Sequence, residues 1–264
     1  MRPSSLPLLT RCAGSETLPR DDRPESEESR RALAWGTAAH HWKATGKFPE
    51  GRLGRDMRAA VEASGIDRDV LWPAGGGHEV FGAVRVDGVR EGYVAEDHPR
   101  PELEAAMRAE PSWLCGTADY VGWEKWRALT AVRDVLWVDD MKTGKFYANP
   151  PEDDDLHDPR LAVGANRFPV AADSPQLLAY ALMQAVRLNY TGPVVLSITH
   201  WPRLPLERRH APPTRTWHVT HTDALHAFWD KLERVAVAAS LGILAPGPHC
   251  KFCPSRKFCP ELEE

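Results

Sequence analysis

The chain has 264 residues, 42% of them hydrophobic, enough to build a sizeable core in one large domain or two small ones. A net charge of −4 excludes a surface coated in positive charge, so a nucleic-acid partner would need a local basic groove. No run of about 18 apolar residues is present, and Arg2 and Arg11 are not joined to a long apolar stretch, which argues against a membrane span and against secretion.

Residues 1–19 hold a short apolar segment that ends in Cys12, which by itself reads as a buried thiol. Residues 20–31 are a charge run, expected as a solvated loop or helix face. Thr37 is then placed to cap a helix that runs to about Thr45 before Gly46, with His40 in its first turn. A neutral imidazole there could take a metal; a lone helical histidine is more often a hydrogen-bonded core or surface residue. Residues 54–64 and 101–110 read as two more helices, the second with Pro101 in its first turn.

Between those helices, residues 78–86 have a strand pattern. Glu79 has two readings, a ligand approaching from a neighbouring strand or a polar residue at a strand edge, and the second is the simpler. Residues 113–122 form another strand in which Asp119 is the one acid, preceded by small residues, with Cys115 as a core residue. A loop containing Trp123, Lys125, Trp126, Arg127 and Arg133 is expected to join it to a third strand, Trp137-Val138-Asp139-Asp140-Met141-Lys142, that ends in a polar turn through Thr143, Gly144 and Lys145. Taken as antiparallel neighbours, these two strands bring Asp119 beside Asp140.

Side chains two apart on a strand share a face, so Asp140 and Lys142 project together and Asp139 points the other way. A carboxylate beside an ammonium at a strand end can hold a divalent metal and a scissile phosphate in one place. The plainer reading is a surface ion pair on an edge strand.

Residues 146–173 are a Pro- and Asp-rich connection with an acidic run at 153–155, more naturally solvated than metal-binding. Ser174-Pro175 starts a helix that runs to about Asn189, and Gln176 and Tyr180, four apart, share one face of it. Strands are expected at 194–201 and 215–221, and an amphipathic helix at 223–241, closed by Gly242. Trp201 and Trp217 could stack bases, and Arg203, Arg208, Arg209, Arg215, Lys251, Arg256 and Lys257 are candidates for backbone phosphates. Taken singly, each is better read as a packed ring or a solvated charge.

The chain ends Cys250-x-x-Cys253-x5-Cys259. Five cysteines is an odd number, three are crowded at the end, and no secretory leader is apparent, so metal or cluster ligation is favoured over disulfides. Three thiolates leave a ligand missing. Cys12 would complete an iron–sulfur site and staple residues 1–19 to 245–264, while His249 and His210 are rival ligands for zinc.

The order of these motifs resembles the RecB-like branch of the PD-(D/E)XK nuclease superfamily. The likeness is strongest to members with an iron–sulfur staple, such as the CRISPR-associated RecB-like exonuclease and the nuclease domain of AddB. The motif residues are Cys12; Gly36 and His40; Gly116 and Asp119; Asp140, Lys142, Thr143 and Gly144; Gln176 and Tyr180; and Cys250, Cys253 and Cys259. They span nearly the whole chain; each is weak alone, and six in order are hard to reach by chance.

The resemblance implies one α/β domain over residues 1–264, with a mixed central sheet flanked by helices. It implies Mg²⁺ or Mn²⁺ held by His40, Asp119, Asp140 and the backbone carbonyl of Met141. Lys142 would be the catalytic lysine, with Gln176 and Tyr180 positioning DNA or water. A [4Fe–4S] cluster would sit on Cys12, Cys250, Cys253 and Cys259, with zinc as the alternative. The implied activity is metal-dependent exonuclease cleavage of single-stranded DNA or DNA ends, in recombination, repair or CRISPR adaptation. The implied setting is cytoplasmic in a bacterium, an archaeon or a phage-infected cell, with a helicase or a CRISPR adaptation protein as possible partner. No nucleotide-binding G-x-x-x-x-G-K-[ST] motif is present, so a motor would be a separate chain. A non-catalytic DNA-binding or scaffold subunit is the rival expectation. The long stretches between His40 and Asp119 and between Asp119 and Asp140 depart from the family pattern and read as loop insertions.

Overall fold

A computed structural model describes residues 1–20, 26–93, 101–110, 112–128, 131–143, 171, 174–201 and 214–262. Gly144, Lys145, the acidic run 153–155, Arg203, Arg208, Arg209 and His210 lie outside the described residues.

The helices are α1 (Leu6–Leu9), α2 (Glu27–Thr45), α3 (Gly51–Ser64), α4 (Arg68–Leu71), α5 (Pro101–Ala109), α6 (Pro175–Arg187) and α7 (Thr222–Ser240). The strands are β1 (Gly77–Arg85), β2 (Gly92–Tyr93), β3 (Trp113–Ala128), β4 (Ala131–Lys142), β5 (Val194–His200) and β6 (Thr214–Thr220). The strands form one mixed sheet in the order β2-β1-β3-β4-β5-β6, an α/β architecture with helices on both faces. Four of the five pairings are antiparallel; β4 and β5 run parallel, as a strand–helix–strand unit through α6 requires. No helix among the described residues is long and apolar enough to cross a membrane.

Alternation along β4 divides the two cores. Leu136 and Val138 belong to the layer under α6 and α7, with Leu177, Leu182, Leu225 and Trp229. Trp137 and Met141 belong to the opposite layer, with Trp35 and Trp42 of α2 and Met57 of α3. Asp140 and Lys142 therefore project on the α6 side, and Asp139 on the tryptophan side.

Three sequence expectations need correction. The first helix does not start at Thr37. Its cap is Ser26, whose hydroxyl accepts the Ser29 N–H, and residues 27–31 of the charge run form its opening turns with an Arg31–Glu27 ion pair. His40 thus lies deep in the helix. The connection after Asp119 is not a loop: β3 and β4 continue as an antiparallel ribbon to Ala128↔Ala131. Trp201 is no stacking platform, because it is 2% exposed and packs against Trp35 and Trp42 at centroid distances of 5.7 and 5.4 Å. Trp217, 52% exposed, remains at the surface.

Candidate active site

Four elements, β1, β3, β4 and α2, deliver the acids and bases to one place. Tyr120 pairs with Asp139 across β3 and β4, so Asp119 and Asp140 occupy the next rung. The Asp119 carboxylate is locked there, accepting the Met141 N–H at 2.6 Å. Helix α2 crosses above and brings His40, whose Nδ1 lies 3.2 Å from Asp119 Oδ1. Gly36, one turn earlier, permits that approach, since a Cβ there would stand 2.9 Å from Thr143 Oγ1.

On the other side, Lys142 Nζ lies 2.6 Å from Asp140 Oδ2 and donates to Gln176 Oε1 at 3.1 Å. Gln176 Nε2 then donates to Tyr180 Oη at 3.1 Å, one turn along α6. Ser174 fixes this helix start, its hydroxyl accepting the Leu177 N–H.

These groups line a cavity of about 920 Å³ together with Thr37, His41, Thr45 and Leu33 of α2. His40, Asp119, Asp140, Met141, Lys142, Gln176 and Tyr180 are thus all brought to one cavity. Glu79, for which the sequence offers a ligand reading and a simpler strand-edge reading, also lines this cavity. His40, Glu79 and Asp119 each offer a ligand atom, and the three atoms lie within 4.8 Å of one another. Glu79 adopts φ 55°, a left-handed conformation uncommon outside glycine, and His40 Nδ1 is 3.9 Å from its Oε1. A strand pattern does not announce a single residue turned out of extended geometry, so the sequence held no signal for this.

The electrostatics separate the two aspartates. Burial works to raise Asp119, but Lys43, His40 and the Met141 N–H outweigh it and hold its carboxyl at about 2. Burial dominates at Asp140, 2% exposed, and with Asp119 nearby pushes it to about 6 despite Lys142. Burial also favours neutral His40, yet the bond to Asp119 prevails and its value is raised. Burial raises Glu79 and Tyr180 as well. One imidazole beside carboxylate oxygens, with room around them, is a donor set suited to a hard divalent cation.

The cysteines divide differently. Cys115 is a core residue of β3. Cys12 and Cys250 are buried and Cys253 and Cys259 half-buried, and all are free thiols. The Cys12 sulfur accepts the Ala245 N–H at 3.4 Å, and the Cys250 sulfur accepts that of Gly247 at 3.2 Å. Among the described residues, the cysteines form no close-set group of the kind His40, Glu79 and Asp119 make.

No protein-family model matches the chain, and no curated protein matches it.

Proposed function

We propose that the chain is a metal-dependent deoxyribonuclease of the PD-(D/E)XK kind, RecB-like, acting on single-stranded DNA or DNA ends. The observation that carries this reading is the convergence of His40, Glu79 and Asp119 with the Asp140–Lys142–Gln176–Tyr180 chain around one cavity. A divalent cation, Mg²⁺ or Mn²⁺, held by His40, Asp119 and Asp140 with Glu79 beside them, would supply Lewis acidity and an activated water. Asp140 holds Lys142 so that its ammonium faces the cavity, where it offsets charge developing on a phosphate in the transition state. Gln176 bridges Lys142 and Tyr180, so α6 sets the orientation of the ammonium. Tyr180 stays a neutral phenol, a donor for a phosphate oxygen or water. On this reading the cysteines at the two chain ends hold a structural [4Fe–4S] cluster, and a helicase or CRISPR adaptation protein would be a separate partner.

The test is cleavage of end-labelled single-stranded DNA with Mn²⁺ or Mg²⁺. Lys142→Ala and Asp140→Ala are expected to lower cleavage by about 10³-fold or more while leaving DNA binding within a few-fold. Cleavage that persists in Lys142→Ala would sink the assignment. Cleavage absent from the native, metal-loaded protein, with DNA still bound, would favour a scaffold subunit.

A further inference from the structure

Helix α2 carries a second charged group next to the acids. Lys43 sits three residues after His40, on the adjoining side of the helix. It is 0% exposed, and its Nζ makes no hydrogen bond among the described residues. It lies over the Trp72 ring, 5.3 Å from the centroid. A buried ammonium without hydrogen bonds is costly unless opposite charge lies close by. Here that charge is the acidic cluster: burial disfavours the ammonium most, and Asp119, Asp139, Glu79 and Asp140 oppose it in that order.

Lys43 is fully buried and is not among the residues that line the cavity, whereas Lys142 lines it. Asp139 has its own cation, Arg215, 3.8 Å away. Asp140 has Lys142, and Asp119 and Glu79 share His40, so on these acids Lys43 is a second cation, set apart by being fully buried. Gln176 and Asp140 occupy Lys142, and Lys43 and His40 together oppose the charge of Asp119.

We infer that Lys43 is a positioning residue that sets metal affinity: its ammonium offsets the carboxylates when no cation is bound and repels a divalent cation that enters. This rests on reading His40, Glu79 and Asp119 as a metal site. Two opposing effects follow from one charge. Without a metal, Lys43 keeps Asp119 and Glu79 from driving each other apart. With one, the two cations repel through a core that water does not screen. The site then binds its metal weakly enough to exchange it.

The experiment is isothermal titration of Mn²⁺ into the full-length native protein and into Lys43→Met, with thermal melting of each, metal-free and loaded. Lys43→Met is expected to bind Mn²⁺ roughly ten-fold more tightly. Its metal-free melting temperature is expected to fall, and Mn²⁺ to restore it by a larger increment than in the native protein. Lys43→Gln should behave as Lys43→Met, and Lys43→Arg, which keeps the charge, should keep the native affinity. A merely structural lysine would lower the melting temperature without tightening Mn²⁺. Equal or weaker binding in both neutral variants overturns the inference alone. A native protein that binds no Mn²⁺ overturns the metal reading, and the inference with it.

Discussion

Asp139 and Asp140 are chain neighbours with opposite surroundings. Asp139 accepts from Trp72 Nε1 at 2.7 Å, from Thr199 Oγ1 at 2.8 Å and from Ser197 Oγ, and it faces Arg215. Those donors tie β4 and β5 to the residue that ends α4, and they hold a fully buried carboxylate away from the cavity. Among the described residues Asp140 has Lys142 as its ion-pair partner, and it lines the cavity. A pH dependence follows from the groups that would bind metal. Asp140, near 6, and His40, raised above 6.5, must both lose a proton to act as ligands, whereas Asp119, near 2, stays ionised. Asp140 lies above its usual 3.8, so the folded, metal-free protein favours its neutral form and loses stability as pH rises from 3.8 through about 6. His40 acts in the same direction, its contribution disappearing as pH rises through its raised value. Metal binding reverses the trend, because the ion replaces the protons. The rise in melting temperature on adding Mn²⁺ should be small at about pH 5 and reach a plateau by about pH 8. A shift independent of pH over that range would show that neither Asp140 nor His40 is a ligand.

At the scale of elements, the cap of α6 matters beyond its own helix, because Gln176 and Tyr180 lie in its first two turns. Ser174→Ala removes the acceptor for the Leu177 N–H and should cost about 1 kcal/mol in urea unfolding. If the same variant also lowers cleavage several-fold with unchanged Mn²⁺ affinity, the helix start positions Lys142 through Gln176. Ser174-Pro175 could be read in sequence because capping is local chemistry, and so could the Asp140–Lys142 pair, which strand periodicity places on one face. The start of α2 could not. Its apolar residues make only a weak stripe, and Thr37 before an Ala-Ala-His run imitates a cap, while the true cap, Ser26, is followed by charges that look like loop. The β3–β4 ribbon was hidden for a related reason. Trp123 is 50% exposed and is followed by two charged residues in a row, Glu124 and Lys125, so no period-two pattern marks a buried face. Glu79 depends on a backbone turned to φ 55°, which is set by packing between β1 and β3 and leaves no mark in local composition.

The two ends of the chain meet, and this contact closes the molecule around the α6–α7 layer. Gly14 N–H donates to Ile243 O at 2.7 Å, and a Cβ at Gly14 would stand 2.6 Å from Gly242 O, so only glycine fits that crossing. Ser255, buried between Cys253 and Cys259 in the sequence, donates to Ser15 O at 3.4 Å. Hydrogen bonds of this length hold a tail loosely; a cluster shared by Cys12 and the C-terminal cysteines would hold it firmly. Purified without oxygen, the protein should be brown, with a broad band near about 400 nm and about four irons per chain. Cys12→Ser should lose the iron and expose residues 245–262 to protease, because the tail would then be held by long hydrogen bonds such as that of Ser255. A colourless protein with about one zinc would keep the staple but change the ion. If Cys12→Ser keeps its iron while Cys250→Ser loses it, the C-terminal cysteines hold the metal without the N-terminus, and the closure of the chain is the work of Gly14 and Ser255. Absence of both metals from protein never exposed to air would leave the junction to these hydrogen bonds and to the packing of Leu9 and Ala13 in the α7 layer.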